Sequence, residues 1–188
     1  MARPDKIELA PGVLLVAPPM LADPNFWRAV VLLCEHTDEG SFGLILNRHV
    51  SLEMTDVVEE LASYSAPIHI GGPVQVNTLH FLHRLGDDLY GGVNLFDDVF
   101  WGGEFEQLQE IVADGSPGLE GLRFYLGYAG WTTEQLEEEV DAGGWIITRP
   151  DVDLVFTDDP ANLWRKTLRR MGGEYSVLAN FPDDPRMN

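Results

Sequence analysis

The chain has 188 residues, of which 45% are hydrophobic, and it contains a single cysteine, Cys34. A chain of this length can build one core without disulfides or metal. One cysteine excludes an intramolecular disulfide and favours a reducing compartment. The 31 acidic and 12 basic residues give a net charge of −19, which repels nucleic acid and anionic lipid at long range.

The sequence shows no targeting or membrane segment. The first ten residues include charged side chains where a secretory signal has an apolar core, and no apolar run approaches the roughly 20 residues needed to cross a bilayer. We therefore expect a cytoplasmic protein. Because no linker or repeat divides the chain, residues 1–188 are predicted to form a single domain, with a short flexible N-terminus at about 1–7 and a tail at about 182–188.

The first half of the chain is predicted to be rich in strands. The apolar runs predict strands at 13–17, 29–34, 42–46, 68–70 and 79–85, and a one-turn period predicts a short helix at 54–62. Residues 29–34 are apolar on both faces, which is typical of a central buried strand. The polar, glycine-containing segment 36–41 favours a hairpin loop, so the second and third strands are predicted to pair antiparallel.

The second half mixes helices and strands. Helices are predicted at 105–112, 132–141 and 159–172, strands at 122–126, 145–148 and 153–156, and a long glycine-rich loop with aromatic anchors at 90–103. Thr132 and Gln135 have the spacing of a capping box, and Asp159 before Pro160 is a typical helix start. Since strands outnumber helices and do not alternate with them regularly, we predict an α+β fold. It is a single domain with a mostly antiparallel or mixed curved sheet and three or four packed helices.

Cys34 and His36 are the first candidates for catalysis. They lie two apart in a predicted strand and would point to the same side, where a thiolate and a base could form a hydrolase site. His36 could also act with a nearby carboxylate. Core packing of Cys34 and a structural hydrogen bond of His36 are the alternatives, and we favour them because Cys34 lies within an apolar run.

Other site classes find little support. The sequence contains no HExxH, CxxC, EF-hand, P-loop, GxGxxG or GxSxG pattern, so no cofactor and no metal are expected. A basic stripe at 165–170 holds a third of the basic residues, but it is small within an acidic molecule, and no helix-turn-helix pattern occurs. Direct DNA binding is therefore the least favoured function.

Several motifs in order along the chain resemble the YqgE/AlgH family of bacterial proteins. They are Gly12–Met20, Asp23–Phe26, Glu35-His36, Gly43–Arg48, Gly71–Val74, Gly127–Trp131 with Gln135-Leu136-Glu137, and Trp145. The resemblance covers the chain from about residue 8 to its end, with His49 standing where the family pattern has a proline. It implies a small cytosolic α+β protein of largely uncharacterised function, and one branch is linked by name to transcriptional regulation of alginate production.

We expect a non-catalytic regulatory or binding module, which would act on transcription indirectly through a protein partner. The lack of any catalytic spacing and the glycine–aromatic motifs favour this function over an enzyme. The candidate residues for contact with a ligand or partner are Asn47, Arg48, Gly72, Pro73, Tyr128, Gly130, Trp131 and Gln135. The alternative is that these residues only hold adjacent turns together. The partner, which is a protein or a small molecule, and the oligomeric state are not specified by the sequence.

Overall fold

The computed structural model describes residues 7–52, 54–61, 63–65 and 67–182. Most of the two ends that were expected to be flexible, residues 1–6 and 183–188, lies outside the described residues. Ile7 packs against buried residues of the core, and the carbonyl of Pro182 accepts a hydrogen bond from Arg28.

The secondary structure consists of ten strands and five α-helices among the described residues. The strands are β1 Leu14–Val16, β2 Val30–Thr37, β3 Gly40–Ile45, β4 His49–Val50, β5 Ile68–Ile70, β6 Val74–His83, β7 Val93–Phe96, β8 Val99–Trp101, β9 Arg123–Trp131 and β10 Ile146–Thr148. The helices are α1 Phe105–Ala113, α2 Gln135–Asp141, α3 Val152–Val155, α4 Leu163–Met171 and α5 Gly173–Leu178. Short 3₁₀ turns fill several connections.

All ten strands belong to one curled sheet that forms a half-barrel, which confirms the predicted α+β fold with a curved, mostly antiparallel sheet. Its main order is β10-β1-β2-β3-β9-β6-β8-β7. Strand β9 is the branch point, because its second half pairs with β3 and its first half pairs in parallel with β5, which in turn pairs with β4. Strands β3 and β5 therefore pair with different halves of β9.

The sheet is covered on both faces where the core is thickest. One face of β2 carries Val30 and Leu32 and packs under α3, α4 and α5, while the other carries Val31 and Leu33 and packs under α2. Strand β2 is thus a central buried strand, as its apolar sequence predicts, and its antiparallel hairpin with β3 is also confirmed. A third cluster joins α1 to β5, β6 and β9.

Three predicted segments were wrong, two of them for a local reason that the structure shows. Residues 90–103 were predicted as a long loop, but they contain the β7–β8 hairpin. The turn forms because Asp97 adopts a left-handed conformation and its backbone carbonyl accepts a hydrogen bond from the Asn94 side chain at 2.9 Å. Residues 153–156 were predicted as a strand, yet α3 forms because the Asp151 side chain caps the N–H of Asp153 at 2.9 Å. The predicted helix at 54–62 is replaced by two 3₁₀ turns, Met54–Asp56 and Glu59–Leu61.

Two helix starts also differ from the prediction. Helix α2 begins at Gln135 and its N-cap is Glu134, which has a φ of 61°, and not Thr132. Half of the capping box remains, since the Gln135 side chain accepts a hydrogen bond from the N–H of Thr132 at 3.0 Å. The last predicted helix is a 3₁₀ turn at Pro160–Asn162 followed by α4, and α5 follows after Gly172.

Candidate functional site

The eight residues predicted to contact a ligand or partner are not brought together at one place. Six of them line two different cavities and two line neither. Tyr128, Gly130 and Trp131 line the first cavity, Arg48, Gly72 and Pro73 line the second, and Asn47 and Gln135 contact the surrounding structure.

Asn47 is a structural residue. Its side-chain oxygen accepts a hydrogen bond from the N–H of Val30 at 3.0 Å, and its nitrogen donates to the carbonyl of Arg28 at 2.9 Å. The amide thus takes the place of a paired strand beside the start of β2, where the backbone would otherwise lack partners. Both the oxygen and the nitrogen of the Asn47 amide therefore have hydrogen-bond partners within the fold.

Gln135 and Trp131 belong to a network around Glu139. Gln135 donates to one carboxylate oxygen of Glu139 at 2.8 Å, and the indole N–H of Trp131 donates to the other at 2.9 Å. Only 6% of Trp131 is exposed, so its ring is a core residue. These contacts support the alternative that this pair holds β9 against α2.

The first cavity, which we call the acidic recess, has a volume of about 470 Å³ and lies beside the end of the β2–β3 hairpin and the end of β9. Its lining residues include the acidic Glu35 and Glu39 and the aromatic Phe42 and Tyr128. Those two rings are stacked, with centroids 4.6 Å apart and an interplanar angle of 28°. The recess therefore places an aromatic surface next to two exposed acidic side chains.

Gly130 makes the ring stack possible. It lies directly opposite Phe42 in the β3–β9 pair, and a Cβ atom at this position would lie 3.0 Å from the Tyr128 ring. A glycine therefore leaves the space over Phe42 that Tyr128 occupies. Phe42 also contacts Trp101 at 4.8 Å and His80 at 5.0 Å between ring centroids, so four half-buried rings form one cluster.

A β-bulge decides which side chains face the recess. Leu33 pairs with Gly43 and Glu35 pairs with Phe42, so Cys34 is an extra residue in β2. Beyond a bulge the alternation of side chains is shifted by one. Glu35 consequently faces the Phe42 side, and His36 lies opposite Ser41 on the other face.

The prediction that Cys34 and His36 point to the same side is therefore wrong. Cys34 is buried among core residues, where burial raises the pKa of its thiol far above the ordinary value. His36 Nδ1 lies 2.8 Å from the hydroxyl of Ser41, and its Nε2 lies 3.5 Å from a carboxylate oxygen of Glu137 on α2. Because the two side chains lie on opposite faces of the sheet, His36 cannot accept the proton of the Cys34 thiol to form a thiolate nucleophile.

The second cavity, which we call the Arg48 cavity, has a volume of about 510 Å³ and is mainly apolar. Its lining residues are Pro24, Asn25, Ile45, Arg48, His49, Val50, Ile70, Gly72, Pro73 and Val76. The Arg48 guanidinium donates one hydrogen bond to the carbonyl of Trp27, and burial lowers its pKa. Among the described residues, no carboxylate forms an ion pair with it.

Gly72 has a packing role beside the same cavity. A Cβ atom there would lie 2.0 Å from the carbonyl carbon of Tyr128, so glycine is required where β6 starts alongside β9. His49 lies in β4 and pairs with His69 of β5. The short β4–β5 ladder thus includes the position where the family resemblance would place a proline.

The basic stripe on α4 is partly engaged within the fold. Arg170 pairs with Asp151 at the start of α3, and Arg165 donates to the carbonyl of Ala179 at the end of α5. In the described part of the chain, no group of three or more histidine, cysteine or acidic side chains is arranged to hold a metal ion. The helices of this part are all too short or too polar to cross a bilayer.

Sequence reasoning missed Glu35, Glu39 and Phe42 as partners of Tyr128 and Gly130. The pairing of β3 with β9 brings them together across about 90 residues of chain, and no local pattern indicates it. A signal for Phe42 did exist, since it immediately precedes the Gly43–Arg48 motif. The bulge that turns Glu35 towards the recess leaves no mark in the sequence.

Comparison with known proteins decides the family. A family model described as AlgH-like matches residues 14–176. The chain belongs to this AlgH-like family. A UPF0301 protein of Chlorobium limicola is 41% identical over 181 residues, covering 96% of this chain and 97% of that protein. A UPF0301 protein of Chlorobaculum tepidum is 43% identical over 180 residues, covering 96% of both.

Two solved structures share the AlgH-like fold. The solution structure of the AlgH protein from Pseudomonas aeruginosa matches with a TM-score of 0.71 and 29% identity, covering 95% of this chain and 99% of that one. A crystal structure of a Corynebacterium diphtheriae protein matches with a TM-score of 0.80 and 23% identity, covering 96% and 95%. The family resemblance of the sequence motifs is thus confirmed, and the names of these relatives state no reaction or ligand.

Proposed function

We propose that this protein is a non-catalytic binding module whose acidic recess accepts a cationic side chain of a protein partner. The observation that carries the proposal is the stack of Phe42 on Tyr128 in a cavity that Glu35 and Glu39 also line. An ammonium or guanidinium group is attracted both to the face of an aromatic ring and to a carboxylate. A recess with both features is suited to lysine or arginine.

The charge of the whole molecule supports the same partner. A net charge of −19 attracts a basic protein at long range and raises the rate of encounter. The rings then supply a contact that does not depend on net charge alone. If the chain acts on transcription, as the family resemblance implies for one branch, a basic protein is the electrostatically favoured intermediary, since DNA would be repelled.

The proposal is tested with a fluorescent peptide of arginines separated by glycine and serine, measured by fluorescence anisotropy at low and at moderate salt. Tyr128→Leu removes a ring, and Glu35→Gln removes a charge. Each should weaken binding by about 2- to 30-fold, the range that a cation–π contact or a partly shielded ion pair supplies.

Glu110→Gln is the matched control, because this exposed residue of α1 carries the same charge and does not line the recess. It should leave the affinity unchanged. Equal affinities for the wild type, Glu35→Gln and Tyr128→Leu would show that the peptide binds the acidic surface in general, and the recess would then be rejected.

A second candidate is a hydrolase in which Ser41 is the nucleophile. The observation that favours it is the chain of contacts from the Ser41 hydroxyl to His36 and from His36 to Glu137, at 2.8 and 3.5 Å. A fluorophosphonate probe should then label the wild type at Ser41 and spare His36→Ala. Absence of labelling in the folded wild type eliminates this candidate.

A further inference from the structure

We propose that the Arg48 cavity is a binding site for a small amphiphilic organic anion, in which Arg48 holds the acid group and the apolar walls hold a hydrocarbon tail. The site is separate from the acidic recess, and its ligand has the opposite charge. The two proposals can therefore fail independently.

Arg48 differs from three other arginines of the described residues. Arg84, Arg123 and Arg170 each form an ion pair, with Asp98, Asp158 and Asp151. Arg48 is half-buried and makes one hydrogen bond, to the carbonyl of Trp27. A guanidinium has five N–H donors, so most of its donors have no protein partner among the described residues.

This arrangement is unexpected in so acidic a chain. With 31 acidic residues available, a half-buried guanidinium would ordinarily be met by a carboxylate, because burial of an unpaired charge is unfavourable. A bound anion would supply that missing partner. Arginine is also the side chain best suited to it, since its planar donors match the two oxygens of a carboxylate or phosphate.

The walls of the cavity select the rest of the ligand. Ile45 is a buried lining residue, and Val50, Ile70 and Pro73 add further apolar surface. Val76 is 59% exposed and forms part of the rim. A volume of about 510 Å³ is within the usual range for a small-molecule site.

The same lining argues against a nucleotide. The cavity has no aromatic side chain other than the imidazole of His49, and Arg48 is its only permanently charged cation among the described residues. A nucleotide would need a surface for stacking its base and several donors for its phosphates. One guanidinium at an apolar pocket fits a single acid group with an alkyl tail.

Isothermal titration calorimetry with decanoate, decyl phosphate and decanol tests the proposal. Decanoate and decyl phosphate should bind saturably to the wild type, and decanol should bind much more weakly. Arg48→Met should weaken decanoate binding by about tenfold to a hundredfold, which is the value of a hydrogen-bonded ion pair. Arg149→Met removes an exposed arginine elsewhere and should have no effect.

A second variant keeps the test valid if Arg48→Met does not fold. Val76→Asp adds a repelling charge at the exposed rim and should weaken decanoate binding without lowering the melting temperature. Val93→Asp is its control, because Val93 is also exposed, at 47%, and lies in β7 away from the cavity. Absence of saturable decanoate binding to the wild type overturns the proposal. It is equally overturned if decanol binds as tightly as decanoate, or if a folded Arg48→Met or Val76→Asp protein binds decanoate like the wild type.

Discussion

The indole N–H of Trp131 donates a hydrogen bond to Oε2 of Glu139 at 2.9 Å. The same oxygen accepts the indole N–H of Trp145 at 2.8 Å, and the two rings meet edge to face with centroids 5.9 Å apart. Both tryptophans are buried. One carboxylate on α2 therefore satisfies two buried donors, one at the end of β9 and one immediately before β10.

Replacement of Glu139 by Ala should lower the free energy of unfolding by about 2–4 kcal/mol, because two buried indole N–H groups lose their acceptor. Urea unfolding measures the change. Glu138→Ala is the control, since this neighbouring residue is exposed and should change stability little. Equal stabilities of Glu139→Ala and Glu138→Ala would contradict the network.

Gly72→Ala should destabilise the protein by about 3 kcal/mol, because the added Cβ meets the backbone of Tyr128, which cannot move away easily. Gly115→Ala provides the comparison. Gly115 has a φ of 63° but open space around it, so only its conformation is strained, at a cost of about 1 kcal/mol. Thermal and urea unfolding of both variants would distinguish a steric requirement from a conformational one. Similar losses of stability in the two variants would show that the close approach does not matter.

His69 predicts a pH dependence of stability. Burial, His49 and Arg123 lower the pKa of His69 from 6.5 to about 4. The unfolded chain therefore binds a proton between these values that the folded protein does not, and stability is lost as the pH falls from about 6.5 towards about 4. Between about pH 7 and about pH 5 this amounts to about 2 kcal/mol.

His69→Phe is the variant that isolates this effect from the many carboxylates. The ring of His69 packs against Tyr125 at 5.3 Å between centroids, and its buried Nδ1 has no hydrogen-bond partner among the described residues, so an apolar ring of similar shape is a reasonable replacement. Urea unfolding at both pH values should give a smaller loss for the variant than for the wild type. An unchanged loss would assign the pH dependence to other groups.

Cys34 should be unreactive in the folded protein. It is 1% exposed and burial raises the pKa of its thiol, so neither access nor thiolate is available. A chromogenic disulfide reagent at about pH 8 should report no free thiol until urea is added, and then one per chain. Rapid reaction of the folded protein would show that the hairpin opens and would restore Cys34 as a candidate nucleophile.

The sequence predicts the strongly patterned elements of this fold well. The apolar strand β2, its hairpin with β3 and helix α1 follow from local patterns that the tertiary structure reinforces. At two of the segments where the prediction was wrong, a single side chain decides the structure. Asp151 caps a helix over a segment whose short apolar run, Leu154–Phe156, was predicted as a strand, and Asn94 supports a hairpin in a glycine-rich stretch.

The candidate sites were predicted only in part, because their geometry is not local. Arg48 and Tyr128 belong to motifs that the sequence displays, but their surroundings come from other strands. Trp131 and Gln135 have the polar and aromatic character of contact residues, yet their polar groups are bound within the fold by Glu139. Sequence motifs alone do not distinguish a side chain that is available to bind a ligand from one that is hydrogen-bonded within the fold.

The bulge at Cys34 has a consequence for related proteins. Strict alternation from Leu33 would place His36 on the face of the recess and Glu35 on the opposite face. The charge presented at the end of this hairpin is thus a property of backbone register and not only of composition. Two hairpins with identical side chains, one bulged and one regular, would offer a carboxylate or an imidazole to the same partner. Binding preference can therefore change between homologues through the insertion or loss of one residue in the strand next to the contact residue.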